Sequence, residues 1–218
     1  MKIASILFVS SALVYWSSLW TPGFPGDWAV KAFPMLVAAV VLGKALPVAF
    51  GVPFVVGFLA AAAGDVFLAL DRHDYLMQGL LCFLVTQLAY SYGFIARQVA
   101  VGERLLYRLP VAVYSIGAFM VMLPSLGSFL VPVAVYVGAL MTMGVLAAGV
   151  ENKPGRLYLG AVLFVIADSL IGINRFVSPF AYSEPIIVGI YTTGQFLIFT
   201  GALAAFGSRA VSGRMPEQ

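Results

Sequence analysis

Two aspartates, Asp65 and Asp168, lie inside long apolar segments, and each opens a copy of one short pattern. The first copy reads GDVFLALDR over 64–72 and the second ADSLIGINR over 167–175. At an offset of 103, Asp65 falls on Asp168, Asp71 on Asn174 and Arg72 on Arg175. An ionisable side chain in hydrocarbon costs ~3 kcal/mol or more, so one retained there marks a functional site by default. Two carboxyls brought close together share a proton, which leaves one acid and one base in the same site. That equipment suits a hydrolysis passing through a cationic or tetrahedral intermediate, with no metal required.

Other polar residues gather near the pair. Asp65 and Arg72 are seven apart and share a helical face, as do Asp168 and Arg175. Each helix then presents a carboxyl at depth and a guanidinium at its outer mouth. Asp71, His73, Asp74 and Asn174 add polar groups there, and Lys31 begins the second span on the same side. Gln87, Tyr90, Tyr191, Thr192 and Gln195 stand at membrane depth on two further spans. The expected picture is a polar cleft opening outward, with rim cations suited to a phosphate headgroup. A blander reading stands beside it. The aspartates then pair structurally with neighbouring helices, and Arg72 and Arg175 only anchor helix ends by snorkelling. His73 reads as a solvated turn residue, and Gly57, Gly138, Gly144, Gly149 and Gly160 as close helix contacts.

The elements that must position these groups follow from composition. Of 218 residues, 62% are hydrophobic and only 10% charged, and the mean hydropathy is +1.01. Continuous apolar runs of roughly 18–22 residues require spanning helices, because barrel strands are short and alternating. Eight spans are predicted: Ile3–Trp20, Ala29–Leu46, Pro53–Leu70, Leu76–Ala96, Leu105–Leu123, Phe129–Val150, Leu157–Phe176 and Pro185–Gly207. With eight spans, nine of the twelve Lys and Arg fall on one side, which makes both termini cytoplasmic by the positive-inside rule. Spans three and seven then run the same way, so 1–100 and 101–218 read as parallel repeats within a single transmembrane domain. The opening Met1-Lys2 and apolar run look like a leader, but no small-x-small site stands near Trp20, so an uncleaved first span is expected.

One cysteine, Cys82, and one histidine, His73, cannot build a disulfide or a Cys- or His-based metal cluster. A net charge of +3 with no basic stripe excludes nucleic acid as a partner. No phosphate-loop, nucleophile-elbow, zinc-helix or dinucleotide fingerprint is present, so neither cofactor nor metal is expected. No pattern specifies an oligomeric state.

The stretches AAAAGDVFLAL, QGLLCFLVTQLAYSYGF, LFVIADSLIGINRF and YTTGQFLIFTGA resemble the YhhN family, the lysoplasmalogenase family of small eight-span membrane proteins. The resemblance covers spans three, four, seven and eight. It implies hydrolysis of the vinyl ether bond of a lysophospholipid, releasing a fatty aldehyde, with Asp65 and Asp168 as the catalytic pair. It departs at Gln87, where family members often carry His. Vinyl ether hydrolysis needs a poised acid and a neighbouring negative charge, the demands that paired carboxylates meet in glycosidases. On that view Lys31, Arg72 and Arg175 meet the headgroup, while Tyr191 and Gln195 position water or the glycerol hydroxyl. Gln87 and Tyr90 line the site, and Asn174 contacts the headgroup or supports it. The partners are the lysophospholipid and the bilayer, in a bacterial inner membrane. Two rivals use the same acids: a proton-coupled transporter of small solutes or lipids, and an intramembrane aspartyl protease. The residues flanking Asp65 and Asp168 fit the protease poorly.

Overall fold

In hydrocarbon every backbone donor and acceptor must find its partner inside the protein, and a helix achieves this within a single segment. A computed structural model, described over residues 2–21, 24–71, 74–100, 102–151 and 155–207, is accordingly all-α. Its helices are α1 (Lys2–Ser18), α2 (Asp27–Ala45), α3 (Val48–Leu70), α4 (Leu76–Ile95), α5 (Leu105–Met122), α6 (Leu130–Ala148), α7 (Gly155–Phe176) and α8 (Ser183–Phe206). Two single 3-10 turns join α5 to α6. Among the described residues seven helices, α2 to α8, are long and apolar enough to cross a membrane. The eighth, α1, has 17 residues and is the shorter apolar helix. The chain is an integral membrane protein.

The helices pack as hairpins, with the most extensive contacts between α7 and α8, α2 and α3, and α3 and α4. Small residues make those approaches close. A Cβ on Gly160 of α7 would meet the Gly194 carbonyl of α8 at 2.7 Å and the Ile198 amide nitrogen at 2.8 Å. Only a residue without a side chain lets these two backbones touch. Gly57 similarly makes room for the Tyr90 ring, and Gly144 for Val111. Gly138, expected at a close contact, instead has open space around its Cα. The α3 helix begins at Val48, ahead of the expected start at Pro53. Pro47 precedes it at the N-cap, and Pro53 sits within the helix. There its fixed φ suits the helix, and it forfeits one hydrogen bond near the start.

One end of the bundle is held by arginines that satisfy the last carbonyls of helices. Arg97 donates to Ala205 O at 2.7 Å, with its guanidinium over the rings of Phe50 and Phe206. Arg104 donates to Val150 O at 2.6 Å, just past α6. At the other end Trp16 donates from Nε1 to Pro185 O at 2.9 Å and packs against Trp20, which stacks on Tyr182. Aromatic side chains with one polar atom are typical of a membrane–water interface.

Candidate active site

Asp65 stands near the end of α3, in the run AAAAGD, whose small side chains let α4 come close. A Cβ on Gly64 would meet the Phe83 ring of α4 at 3.0 Å. Asp65 is buried, with 2% of its surface exposed, and its Oδ2 accepts a hydrogen bond from the Tyr191 hydroxyl of α8 at 3.0 Å. Lys31 of α2 is near enough to act on it electrostatically. Lys31 is itself 7% exposed, and its ammonium lies 5.3 Å from the centroid of the Tyr15 ring. The lysine expected on a solvent rim is thus inside the bundle, because it begins the second turn of α2 and faces α1 and α3.

Asp168, on α7, is also buried. Its Oδ2 accepts two hydrogen bonds, from Gln87 Nε2 of α4 at 3.1 Å and from the Tyr136 hydroxyl of α6. The donors cross over. The α3–α4 hairpin supplies Asp65 and Gln87, the α7–α8 hairpin supplies Asp168 and Tyr191, and each acid is held by the other hairpin. Tyr90 completes the crossing by donating to Gln195 Oε1 at 2.9 Å. Between them Phe83, Phe164 and Tyr191 pack edge to face, with centroids 5.6 to 6.1 Å apart.

Two amide atoms in this network have no hydrogen-bond partner among the described residues, Gln87 Oε1 and Gln195 Nε2. A buried unpaired polar atom costs ~1–3 kcal/mol, so a site that leaves an acceptor and a donor open is prepared for a polar guest. Among the described residues no three His, Cys, Asp or Glu side chains gather into a metal-binding group.

The remaining expected residues divide. Arg175 is exposed at the end of α7 and borders a cavity that Asp168 also lines. Asn174 is engaged elsewhere, its Oδ1 accepting from the Phe180 amide at 3.1 Å and fixing the loop into α8. Asp71 closes its own turn by accepting from the Asp74 amide at 3.0 Å. Thr192 donates to Val188 O within its own helix. Arg72 and His73 lie outside the described residues. One polar group at the site had no sequence signal. Tyr136 is a lone hydroxyl in the apolar run VPVAVYVGAL, on a helix with no part in the repeated motif.

A model of the YhhN family matches residues 26–202. The lysoplasmalogenase TMEM86A of Homo sapiens is 31% identical over 219 residues, covering 93% of this chain and 88% of the relative. The lysoplasmalogenase TMEM86A of Bos taurus is 29% identical with the same coverage. No solved structure matches the chain significantly. With the family pattern spanning both aspartate helices and most of the bundle, the chain belongs to the YhhN family.

Proposed function

We propose that this chain is a membrane-embedded hydrolase that cleaves the vinyl ether bond of lysoplasmalogens, with Asp65 and Asp168 as its acid–base pair. One observation carries the reading. Two buried carboxyls on neighbouring hairpins are each held by a donor from the opposite hairpin. The named activity of the relatives agrees with it.

The substrate R–CH=CH–O–R′ carries an electron-rich double bond. A neutral carboxyl gives its proton to the carbon remote from oxygen, forming R–CH₂–CH=O⁺–R′. The ionised partner stabilises that cation and accepts a proton from the water that attacks it. As the hemiacetal R–CH₂–CH(OH)–O–R′ collapses, the second carboxyl gives its proton to the departing oxygen and the first takes the hydroxyl proton, leaving the aldehyde R–CH₂–CHO, the alcohol R′–OH and the pair as it began. One water is consumed and no proton is lost, as in hydrolysis by paired carboxylates elsewhere. Tyr191, Gln195, Gln87 and Tyr90 orient the pair and the incoming polar groups. Arg175 at the cavity border meets the phosphate headgroup. Lys31 supplies positive charge beside Asp65 inside the bundle. The substrate reaches the site from the bilayer, its tail among the helices.

The wider arrangement belongs to the same reading: one transmembrane domain of two parallel four-helix halves, both termini cytoplasmic, in a bacterial inner membrane. The test is aldehyde release from a lysoplasmalogen by purified protein, beside Asp65→Asn and Asp168→Asn. Losses of about a hundredfold or more in both variants are expected, as when a general acid or base is removed. Near-normal turnover in either folded variant would sink the acid-pair mechanism.

A further inference from the structure

We infer that Asp168 is the proton donor of the pair, and that Tyr136 of α6 is the residue that aims it, in a small cavity between α4, α6 and α7. This assignment rests on the hydrolase reading above and gives the two carboxyls different tasks.

Asp168 lines that cavity and Asp65 does not. The cavity has a volume of about 40 Å³, enough for a few water molecules, and its wall includes Leu80, Tyr136, Leu140, Gly172 and Arg175. Apart from Ser169, whose hydroxyl donates to Val165 O within α7, the rest of the wall is apolar, which suits the alkenyl carbon that must be protonated. Met122 closes the cavity from the end of α5, with its sulfur packed against Gly172. An unbranched, flexible side chain there is one that an arriving chain can displace.

Both hydrogen bonds to Asp168, from Tyr136 and Gln87, end on Oδ2. An oxygen that already accepts twice is the carbonyl oxygen of the neutral acid, so the proton rides on Oδ1. Tyr136 fixes the rotation of the carboxyl, and it keeps its bond when the proton has left and the carboxylate remains. A hydroxyl bonded to an anion is stronger than one bonded to a neutral acceptor, so the bond tightens as the proton transfers. Asp65 has the opposite surroundings. It lies within reach of the buried Lys31 ammonium and is held by Tyr191. In this assignment Asp65, which lines no part of the cavity, is the carboxylate that stabilises the cation formed beside Asp168.

The experiment compares aldehyde release by the wild type, Tyr136→Phe, Asp168→Asn and Asp65→Asn in detergent, with thermal unfolding measured alongside. Tyr136→Phe keeps the ring and is expected to lower kcat roughly 10- to 100-fold while KM stays within about twofold, since the lost bond matters most in the transition state. A kcat equal to wild type, or a rise in KM with kcat unchanged, would overturn the role of Tyr136. Should Tyr136→Phe not fold, the aspartate variants decide. Asp168→Asn with no detectable aldehyde, beside a residual rate in Asp65→Asn, supports the assignment. Equal losses or the reverse order would overturn it. A wild type that releases no aldehyde would instead bring down the hydrolase reading itself, and this assignment with it.

Discussion

Gln87 shows how much a single side chain at this site is asked to do. Its Nε2 holds Asp168, while its Oε1 is buried with no partner among the described residues. Replacing it with Ala removes a donor from the acid and relieves an unpaired acceptor, so the two effects oppose each other in stability. They do not oppose each other in turnover. Gln87→Ala is expected to lower aldehyde release about tenfold, with little change in the unfolding midpoint; an unchanged rate would show that Tyr136 alone suffices to orient Asp168. At this scale the sequence was informative where the membrane makes a residue expensive. Asp65 and Asp168 stood out because carboxyls in apolar runs are costly. Gln87, Tyr191 and Gln195 stood out because amides and phenols at depth must find partners, and the structure brings them to the pair. Tyr136 is a phenol at depth too, but it stands alone in the run VPVAVYVGAL, on a helix without the repeated motif, and nothing in the sequence ties it to the pair. Asn174, aligned with the motif carboxylate Asp71, accepts from the Phe180 amide and fixes a loop, a partner that spacing alone does not reveal.

Helix against helix, the decisive contacts are backbone to backbone. Gly160 and Gly194 bring α7 and α8 together, and α8 carries both Tyr191 and Gln195 to the site. Gly160→Val would drive a branched side chain into the Gly194 carbonyl and the Ile198 amide. It is expected to destabilise the protein by ~1–3 kcal/mol or more and to lower turnover together with stability; a variant with a wild-type unfolding midpoint would show that the two helices can part without cost. The number and order of helices were legible from apolar runs broken by charge and proline. Their ends were less so. Span three was expected to begin at Pro53, but the helix tolerates proline near its start and runs back to Val48. Which glycines mediate contact was not legible either. Gly57, Gly144 and Gly160 do, whereas Gly138 faces open space, since sequence shows where a helix is thin and not which neighbour uses the groove.

Across the whole molecule the charge distribution matches the architecture. Arg97 and Arg104 stand at one end, bonded to carbonyls at the ends of α8 and α6, while the Trp16, Trp20 and Tyr182 cluster stands at the other. If the arginine end faces the cytoplasm, a cysteine at Gly102, placed in a Cys82→Ser background, is labelled by a membrane-impermeant maleimide only after the membrane is opened. A cysteine at Ser178 is labelled in intact cells. The reverse pattern would invert the topology and place the Arg175 side of the site toward the cytoplasm.

The exchange of donors between the two hairpins also bears on how the protein is made. Asp65 reaches the membrane early, on the third helix, but the hydroxyl that holds it belongs to Tyr191 on the last. A chain still emerging from the ribosome therefore carries Asp65 without its partner, whereas Asp168 follows both of its donors, Gln87 and Tyr136. On the proposed reading the acid pair is complete only when the final helix leaves the translocon and docks. Any fragment ending before α8 is then expected to be a bundle of lipid-soluble helices that leaves the lipids around it uncut.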